Sequence, residues 1–381
     1  MQTENIPFMA GIYIHIPFCA SRCIYCAFYS STHAEWQEAY VDALCREMSM
    51  RADYLQDAPL ETVYLGGGTP SQLSITCLHR LFNHLYTKVY KGCCPTEITM
   101  ECNPDDVTPE WVSALRELSV NRVSMGAQTF DDRRLRFLHR RHTAAEVFRA
   151  VERLRAADIN HINIDLMFGF PDETREDWTE DIDRALALNI EHLSAYCLAY
   201  EEGTPLYHLR EQGRVKELDE EVSRSMYETL IDRMTAAGYE HYEISNFARP
   251  GHHSLHNANY WNATPYIGLG ASAHSYDGAS RQWNISDTQR YIASIAEGIV
   301  PAERETLDAD TRYNDLVTTA LRTARGIYLP SLCADRRNYL MQNARRHIEN
   351  GLLAVEADRL LLTRQGLFVS DTVMSDLIYI D

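Results

Sequence analysis

Tyr13-Ile-His-Ile-Pro-Phe-Cys19-Ala-Ser-Arg-Cys23-Ile-Tyr-Cys26 places three cysteines in one short loop, directly after an apolar run that reads as a strand. Thiolates are soft ligands suited to zinc or to iron–sulfur clusters. Three of them in one loop can hold three irons of a cubane and leave the fourth without a protein ligand, whereas a structural zinc wants four closed ligands. No second cysteine pair lies at zinc-finger spacing, and His15 or His33 would have to complete a zinc set. Spacing alone favours an iron–sulfur cluster and leaves a zinc or redox-cysteine module open. The other cysteines, from Cys45 through the adjacent Cys93 and Cys94 to Cys333, have no pairing rhythm and read as buried thiols.

Outward from this loop, short apolar runs alternate with longer amphipathic stretches as far as Tyr200. Strands are predicted at 11–16, 62–65, 97–101, 122–127, 160–168 and 192–199, each rich in β-branched or apolar residues and bounded by Gly, Pro, Asn or charge. Helices are predicted between them at 35–54, 71–90, 109–118, 143–157 and 174–188. Thr108-Pro109 sets Pro at a first helical position, and Thr143 caps a run beginning Ala-Ala-Glu. Repeated βα units imply an α/β fold with a parallel sheet, either open or an incomplete barrel, whose functional loops follow the carboxyl ends of its strands. Cys19, the Gly66–Gly68 run, Glu101 with Asn103, and Gln128 all fall at such ends, and Asp165 lies within the fifth strand.

Beyond residue 205 the pattern changes. A long helix at 219–237 leads to a strand-like 239–245 and a polar, aromatic loop at 246–266. From about residue 310 the chain reads as three short helices, then a hairpin of 360–362 and 366–369, in an order like a winged helix. Such a unit usually binds DNA, but Arg336, Arg337, Arg345 and Arg346 are interspersed with acids, which favours a structural or lid role. The division expected is 1–205, 206–305 and 306–381.

The chain has 381 residues with a net charge of −18, which argues against phosphate-backbone binding and so against a nucleic-acid partner. Arg133, Arg134, Arg136, Arg140 and Arg141 form a basic spot that reads as the polar side of a loop or helix, or as a site for one anionic group. No apolar run reaches the roughly 18 residues of a membrane span, and the first residues lack a basic-then-apolar secretory layout, so a cytoplasmic location is expected.

A three-then-two cysteine spacing after the first strand of a βα series resembles the signature of the radical S-adenosylmethionine superfamily, and the resemblance covers residues 12–200. It implies a partial (β/α)6 barrel at 1–205 and a [4Fe–4S] cluster on Cys19, Cys23 and Cys26. It further implies S-adenosylmethionine on the open iron, cleaved by one electron to methionine and a 5′-deoxyadenosyl radical. Gly67, Gly68 and Thr69 resemble the segment whose backbone meets the methionine amino group. By the same resemblance Glu101 accepts from ribose hydroxyls, Gln128 and Asp165 meet nucleoside polar atoms, Arg140 binds a carboxylate, and Tyr13 and Tyr25 lie against cluster and adenine.

Within the superfamily, His15-Ile-Pro-Phe-Cys19, Gly66-Gly-Gly-Thr-Pro-Ser71, Ser124-Met-Gly-Ala-Gln-Thr-Phe130 and Asn163-Ile-Asp-Leu-Met-Phe-Gly-Phe-Pro171 resemble one branch. It contains the oxygen-independent coproporphyrinogen III oxidases (HemN) and the haem chaperones (HemW). HemN has a fourth cysteine two residues after the third ligand, where this chain has Phe28, and a longer segment ahead of the cluster motif. His256-Asn257-Ala-Asn-Tyr260-Trp261 resembles an element that marks HemW. The resemblance therefore implies a haem chaperone, with a porphyrinogen oxidase as the alternative. Imidazole is a common axial ligand of haem iron and aromatic rings stack on porphyrin, so the segment is expected to bind haem. His256 is the expected axial ligand, with His252, His253 and His274 as competitors. The partners implied are haem, respiratory haem-protein acceptors, an electron donor such as flavodoxin or ferredoxin, a second copy of the chain, and a transient membrane contact.

Overall fold

A computed structural model describes residues 9–55, 58–89 and 94–380. Tyr90, Cys93 and the leader reading of the first eight residues lie outside them. The first half is a βα series: β1 (Ala10–Ile16), α1 (Gln37–Met50), β2 (Leu60–Gly67), α2 (Ile75–His84), β3 (Glu97–Cys102), α3 (Pro109–Glu117) and β4 (Arg122–Gln128). It continues through α4 (Asp132–Phe137), α5 (Ala144–Ala156), β5 (His161–Phe168), α6 (Arg175–Ala187) and β6 (His192–Cys197). Local chemistry starts these helices where expected. Thr108 accepts from Trp111 N–H with Pro109 behind it, and Thr143 with Glu146 and Thr174 with Asp177 form capping boxes.

Neighbouring strands from β1 to β6 pair in parallel. One face of each is apolar: Ile12, Val63, Ile98, Val123, Ile162 and Leu193 meet Leu44, Leu81, Leu115, Val151, Leu154 and Trp178 of the helices in one buried core. Each such side chain contributes about 1.5–3 kcal/mol by leaving water. Trp178 also donates its indole N–H to Met226 O at 3.0 Å, tying α6 to the following unit. The opposite face is polar, and the site lies there.

The second half extends this sheet at both edges. After α7 (Pro205–Glu211) and α8 (Glu220–Ala236), β7 (Glu240–Glu243) and β8 (Asn246–Ala248) continue it antiparallel from β6. Then α9 (Leu255–Trp261) precedes β9 (Tyr266–Leu269), β10 (His274–Tyr276) and β11 (Ser280–Asn284). These are followed by α10 (Thr288–Ala296) and β12 (Ala302–Thr306). β9 pairs in parallel with β1, so the sheet runs β12-β11-β10-β9-β1-β2-β3-β4-β5-β6-β8-β7. β1 and β6 are joined to β9 and β8 and not to each other: the barrel is incomplete.

The rest is α11 (Ala309–Ala320), β13 (Ile327–Tyr328), α12 (Ala334–Glu349), β14 (Leu353–Glu356), β15 (Arg359–Leu362), α13 (Arg364–Leu367) and α14 (Ser370–Leu377). Its three-stranded sheet, β13-β15-β14, and its separate apolar cluster of Val317, Leu340, Leu353, Leu360 and Leu377 have winged-helix order.

Three expectations are corrected. Residues 246–266 are not a loop, because β8 and α9 occupy much of that stretch. Ser254 caps α9, and the Glu97 carboxylate accepts from Leu255 and His256 N–H at 3.0 Å, satisfying a helix start from a distant strand. The hairpin is β14–β15, turning through Ala357 and Asp358, both at positive φ; 366–369 falls on α13 and its exit because Thr363 caps that helix. Two α-helices precede it, with a 3-10 turn at Leu329–Ser331 in place of a third.

Candidate functional site

The cysteine loop lies across the carboxyl ends of the strands. Its ends are held by Ser31 N–H to Pro17 O at 2.6 Å and Cys19 N–H to Ser31 O at 2.9 Å. Its middle is held by Ile24 N–H to Leu138 O and Leu206 N–H to Ile24 O. Ile24 packs with Leu138, Met167, Phe170, Leu198 and Leu206, so the loop is fastened to the far side of the barrel mouth. Cys19, Cys23 and Cys26 are free, partly buried thiols, and burial raises the thiol pKa of Cys19 and Cys26. Thr69 Oγ1 donates to Cys19 Sγ at 3.5 Å and Arg140 Nη1 to Cys23 Sγ at 3.4 Å, two contacts suited to thiolate charge. Among the described residues no three such ligands converge as on a single ion. A cubane takes each thiolate on a different iron, so the triad fits that group without converging.

The Gly66–Gly68 turn packs flush against this loop. A Cβ on Gly68 would stand 2.8 Å from Pro17 C, and Gly67 has φ +109° with its face filled by the His15 ring. Only glycine can bring the backbone this close. Gly67 N–H donates to Glu101 Oε2 at 3.1 Å and Tyr64 hydroxyl to Glu101 Oε1 at 2.7 Å. Burial first, with the Asp165 charge adding to it, pushes Glu101 up to about 7 against these two donors.

Arg140 crosses beneath the loop, donating through Nη2 to Asn103 Oδ1 at 2.5 Å and Gly126 O at 2.6 Å. Its Nε is buried without a protein partner among the described residues. Gln128 sits at a bulge with φ +68°, and its amide nitrogen lies 2.8 Å from where a Gly126 Cβ would be. Tyr25 lies against Cys23 and Arg140. The mouth thus brings together Cys19, Cys23, Cys26, Gly67, Gly68, Thr69, Glu101, Gln128, Arg140, Tyr25 and Asp165. Tyr13 is one row lower, stacked on Tyr64 with ring centroids 6.2 Å apart and its hydroxyl 3.1 Å from His15 Nδ1.

Asp165 is the end of a directional chain. Asp165 Oδ1, its carboxyl pKa raised by burial, accepts the Asn163 NH2 at 2.8 Å, and Asn163 presents Oδ1 to His192 Nδ1 at 2.6 Å. His192 then donates at Nδ1 and accepts the Tyr242 hydroxyl at Nε2, 2.7 Å away. Sequence reading missed Tyr64, Asn163, His192 and Tyr242. The available signal was a polar residue at every second position within otherwise apolar strands: Thr62-Tyr64, Thr99-Glu101, Asn163-Asp165 and His192-Ser194-Tyr196.

His256 lies at the other end of the barrel, at its floor. It is buried, with Nδ1 2.8 Å from Thr62 Oγ1 and Nε2 3.0 Å from the Tyr260 hydroxyl, and its ring stacks on Tyr64. Burial lowers its pKa to about 3. Both nitrogens are hydrogen-bonded while α9 is seated, so ligation of an iron by either would first require its hydroxyl partner to leave. Trp261 faces Arg322 of the C-terminal unit at 5.3 Å, and Asn257 N–H donates to Ser254 Oγ. His252 meets His161, and His253 pairs with Glu240 at 2.7 Å.

A cysteine loop, a glycine turn and polar strand ends on one mouth of an incomplete parallel barrel define the radical SAM class, and the Radical SAM superfamily model matches residues 13–185. The solved structure of Escherichia coli coproporphyrinogen III oxidase (HemN), described as a radical SAM enzyme, shares the fold. Its TM-score is 0.83 over 98% of this chain and 90% of that one, at 21% identity. Heme chaperone HemW of Mycobacterium tuberculosis (strain H37Rv) is 34% identical over 373 residues, 97% of this chain and 94% of the relative. Heme chaperone HemW of Bacillus subtilis (strain 168) is 36% identical over 84% of this chain and 85% of the relative. The chain belongs to the HemW family.

Proposed function

We propose that this chain is a haem chaperone that holds a [4Fe–4S] cluster on Cys19, Cys23 and Cys26, takes S-adenosylmethionine on the remaining iron, and delivers haem to respiratory apoproteins. The observation that carries this reading is likeness to heme chaperones over nearly the whole chain. Phe28, 71% exposed where the oxidase branch has a further cysteine, supports it.

When bound, the cluster supplies one electron to S-adenosylmethionine. The chain's own residues orient and shield. The glycine turn brings backbone to the methionine end, Glu101 and Asp165 accept from the nucleoside, Arg140 neutralises thiolate and carboxylate charge, and the apolar seam around Ile24 excludes water. Tyr13 supports this set from the row below, while Gln128 and Tyr25 border it.

Haem ligation by His256, with Asn257, Tyr260 and Trp261 beside it, belongs to this proposal and would require α9 to leave the floor. The division at 1–205, 206–305 and 306–381 belongs to the same proposal, supported at its end by the separate apolar cluster. So do a cytoplasmic location, a flavodoxin- or ferredoxin-type donor, a homodimer and a transient membrane contact. Among the described residues no helix is long and apolar enough to cross a membrane.

The test is one anaerobic preparation given haem in one arm and coproporphyrinogen III, reductant and S-adenosylmethionine in the other. Haem binding without protoporphyrinogen is expected. Formation of protoporphyrinogen would replace the chaperone with the oxidase.

A further inference from the structure

β5 and β6 carry polar side chains on the interior face of the barrel, where every buried polar group needs a partner. Register sorts them into two rows. Asp165 is paired with Ser194 at the mouth, and Asn163 is paired with His192 one row below, with Ser124 of β4 in register beside it. Asn163 and His192 are buried. The pairing of β7 with β8 shifts register at Tyr242, between His241 and Glu243, and its hydroxyl reaches His192 Nε2 at 2.7 Å. The Tyr242 ring is backed by His253, stacked 4.1 Å away at 14°, and His253 in turn pairs with Glu240.

Burial first, then the Arg122 and His253 charges, lowers the His192 pKa and keeps its imidazole neutral, so one ring nitrogen donates and the other accepts. Two directions satisfy such a chain. In the one observed, Tyr242 donates to Nε2, Nδ1–H donates to Asn163 Oδ1 at 2.6 Å, and the Asn163 NH2 faces Asp165 at 2.8 Å. In the reverse, the amide is turned over, its NH2 donates to Nδ1, Nε2–H donates to Tyr242, and Asn163 Oδ1 meets the Asp165 carboxyl. Two oxygens can meet there only if Asp165 carries a proton and donates it. The Ser124 and Ser194 hydroxyls, 2.8 and 3.0 Å from the Asn163 amide nitrogen, can rotate to suit either direction. Burial raises the Asp165 pKa, and the Asn163 amide is the foremost of the contacts that oppose it. The direction of the chain therefore decides whether Asp165 is an acceptor.

We propose that His192 and Tyr242 are positioning residues for nucleoside binding: acting through the Asn163 amide, they hold Asp165 as a hydrogen-bond acceptor at the mouth. This rests on the reading of the mouth as an S-adenosylmethionine site. A fully satisfied buried network is rigid, so the carboxylate is oriented before its ligand arrives.

The test has two readouts. S-adenosylmethionine affinity is taken from the EPR signal of the reduced cluster, and the His192 tautomer from nitrogen NMR of the cluster-free, histidine-labelled chain. The variants are His192→Leu, His192→Asn, Tyr242→Phe, Asp165→Ala and the double variant of His192→Leu with Asp165→Ala, each checked for cluster content and thermal unfolding. His192 is expected to be neutral and protonated at Nδ1. His192→Leu should bind about tenfold more weakly, Tyr242→Phe about threefold, and His192→Asn, which keeps an N–H where Nδ1 stood, should stay within about threefold of the unaltered chain. In the Asp165→Ala background His192→Leu should cause no further loss, whereas a merely structural role would weaken both backgrounds alike. Unchanged affinity in a folded His192→Leu, additive losses in the double variant, or a ring protonated at Nε2 overturns the proposal. If His192→Leu does not fold, Tyr242→Phe decides, and unchanged affinity there overturns it. If the unaltered chain is indifferent to S-adenosylmethionine, the reading of the mouth and the proposal fall together; if it binds and a folded His192→Leu binds equally, only the proposal falls.

Discussion

The mouth and the floor of the barrel are both polar, aromatic and rich in residues that bind ligands elsewhere, yet they differ in which of those residues are engaged with one another. At the floor, His256 uses both nitrogens, Glu97 caps α9, and Arg122 donates through Nη1 to the carbonyls of His252 and His253, while its Nη2 and the Trp261 indole N–H have no protein hydrogen-bond partner among the described residues. At the mouth, three thiols are free, the Arg140 Nε has no protein partner among the described residues, and Glu101 is held at about 7 by burial. An imidazole closed on two hydroxyls holds a fold together, whereas three free thiols gathered in one loop fit a ligand.

The largest effect that would break this contrast is at the mouth. Cys19→Ser, Cys23→Ser or Cys26→Ser should each abolish a stable [4Fe–4S] cluster, read by iron and sulfide content, with little change in the unfolding temperature of the cluster-free chain. Next comes the floor. His256→Ala leaves Thr62 and Tyr260 hydroxyls buried without their partner and should lower stability by about 2–4 kcal/mol in denaturant unfolding. Cluster content should survive. A variant of normal stability that cannot take up haem would reverse the assignment of the floor.

A smaller effect separates the regions by pH. Glu101 is raised from 4.5 to about 7, so the folded state holds its proton more tightly than the unfolded chain. Its contribution is fully present below about 4.5 and is lost as pH rises toward about 7. The cluster-free protein should therefore lose stability over that window, and Glu101→Gln should flatten the slope while the buried Glu173 and Glu243, also raised to about 7, keep their share. The smallest effect is at the seam: Arg322→Ala removes the cation facing Trp261 and should cost about 1 kcal/mol.

The contrast also marks what could be read in advance. All six barrel strands lie where the apolar runs put them, and Thr108, Thr143 and Thr174 start helices by local caps. The mouth was legible because its residues end strands and carry recognisable spacing. The floor was not. Whether His256 is open or engaged depends on Thr62, and whether 255–261 is helical depends on Glu97, both far away in the chain. The parallel pairing of β9 with β1 was hidden for the same reason: Tyr266–Leu269 is short, and nothing local names its partner. The polar chain from Asp165 to Tyr242 left only a period-two trace within its strands.

The account turns on an open iron at the mouth, and low-temperature EPR of the anaerobically reconstituted, dithionite-reduced chain reads it directly. The account predicts about four irons per chain, a reduced-cluster signal that changes on adding S-adenosylmethionine, and no such change in Arg140→Ala or Glu101→Ala at the same concentration. A cluster signal indifferent to S-adenosylmethionine, or a chain that loads zinc and no iron–sulfur cluster, would contradict it.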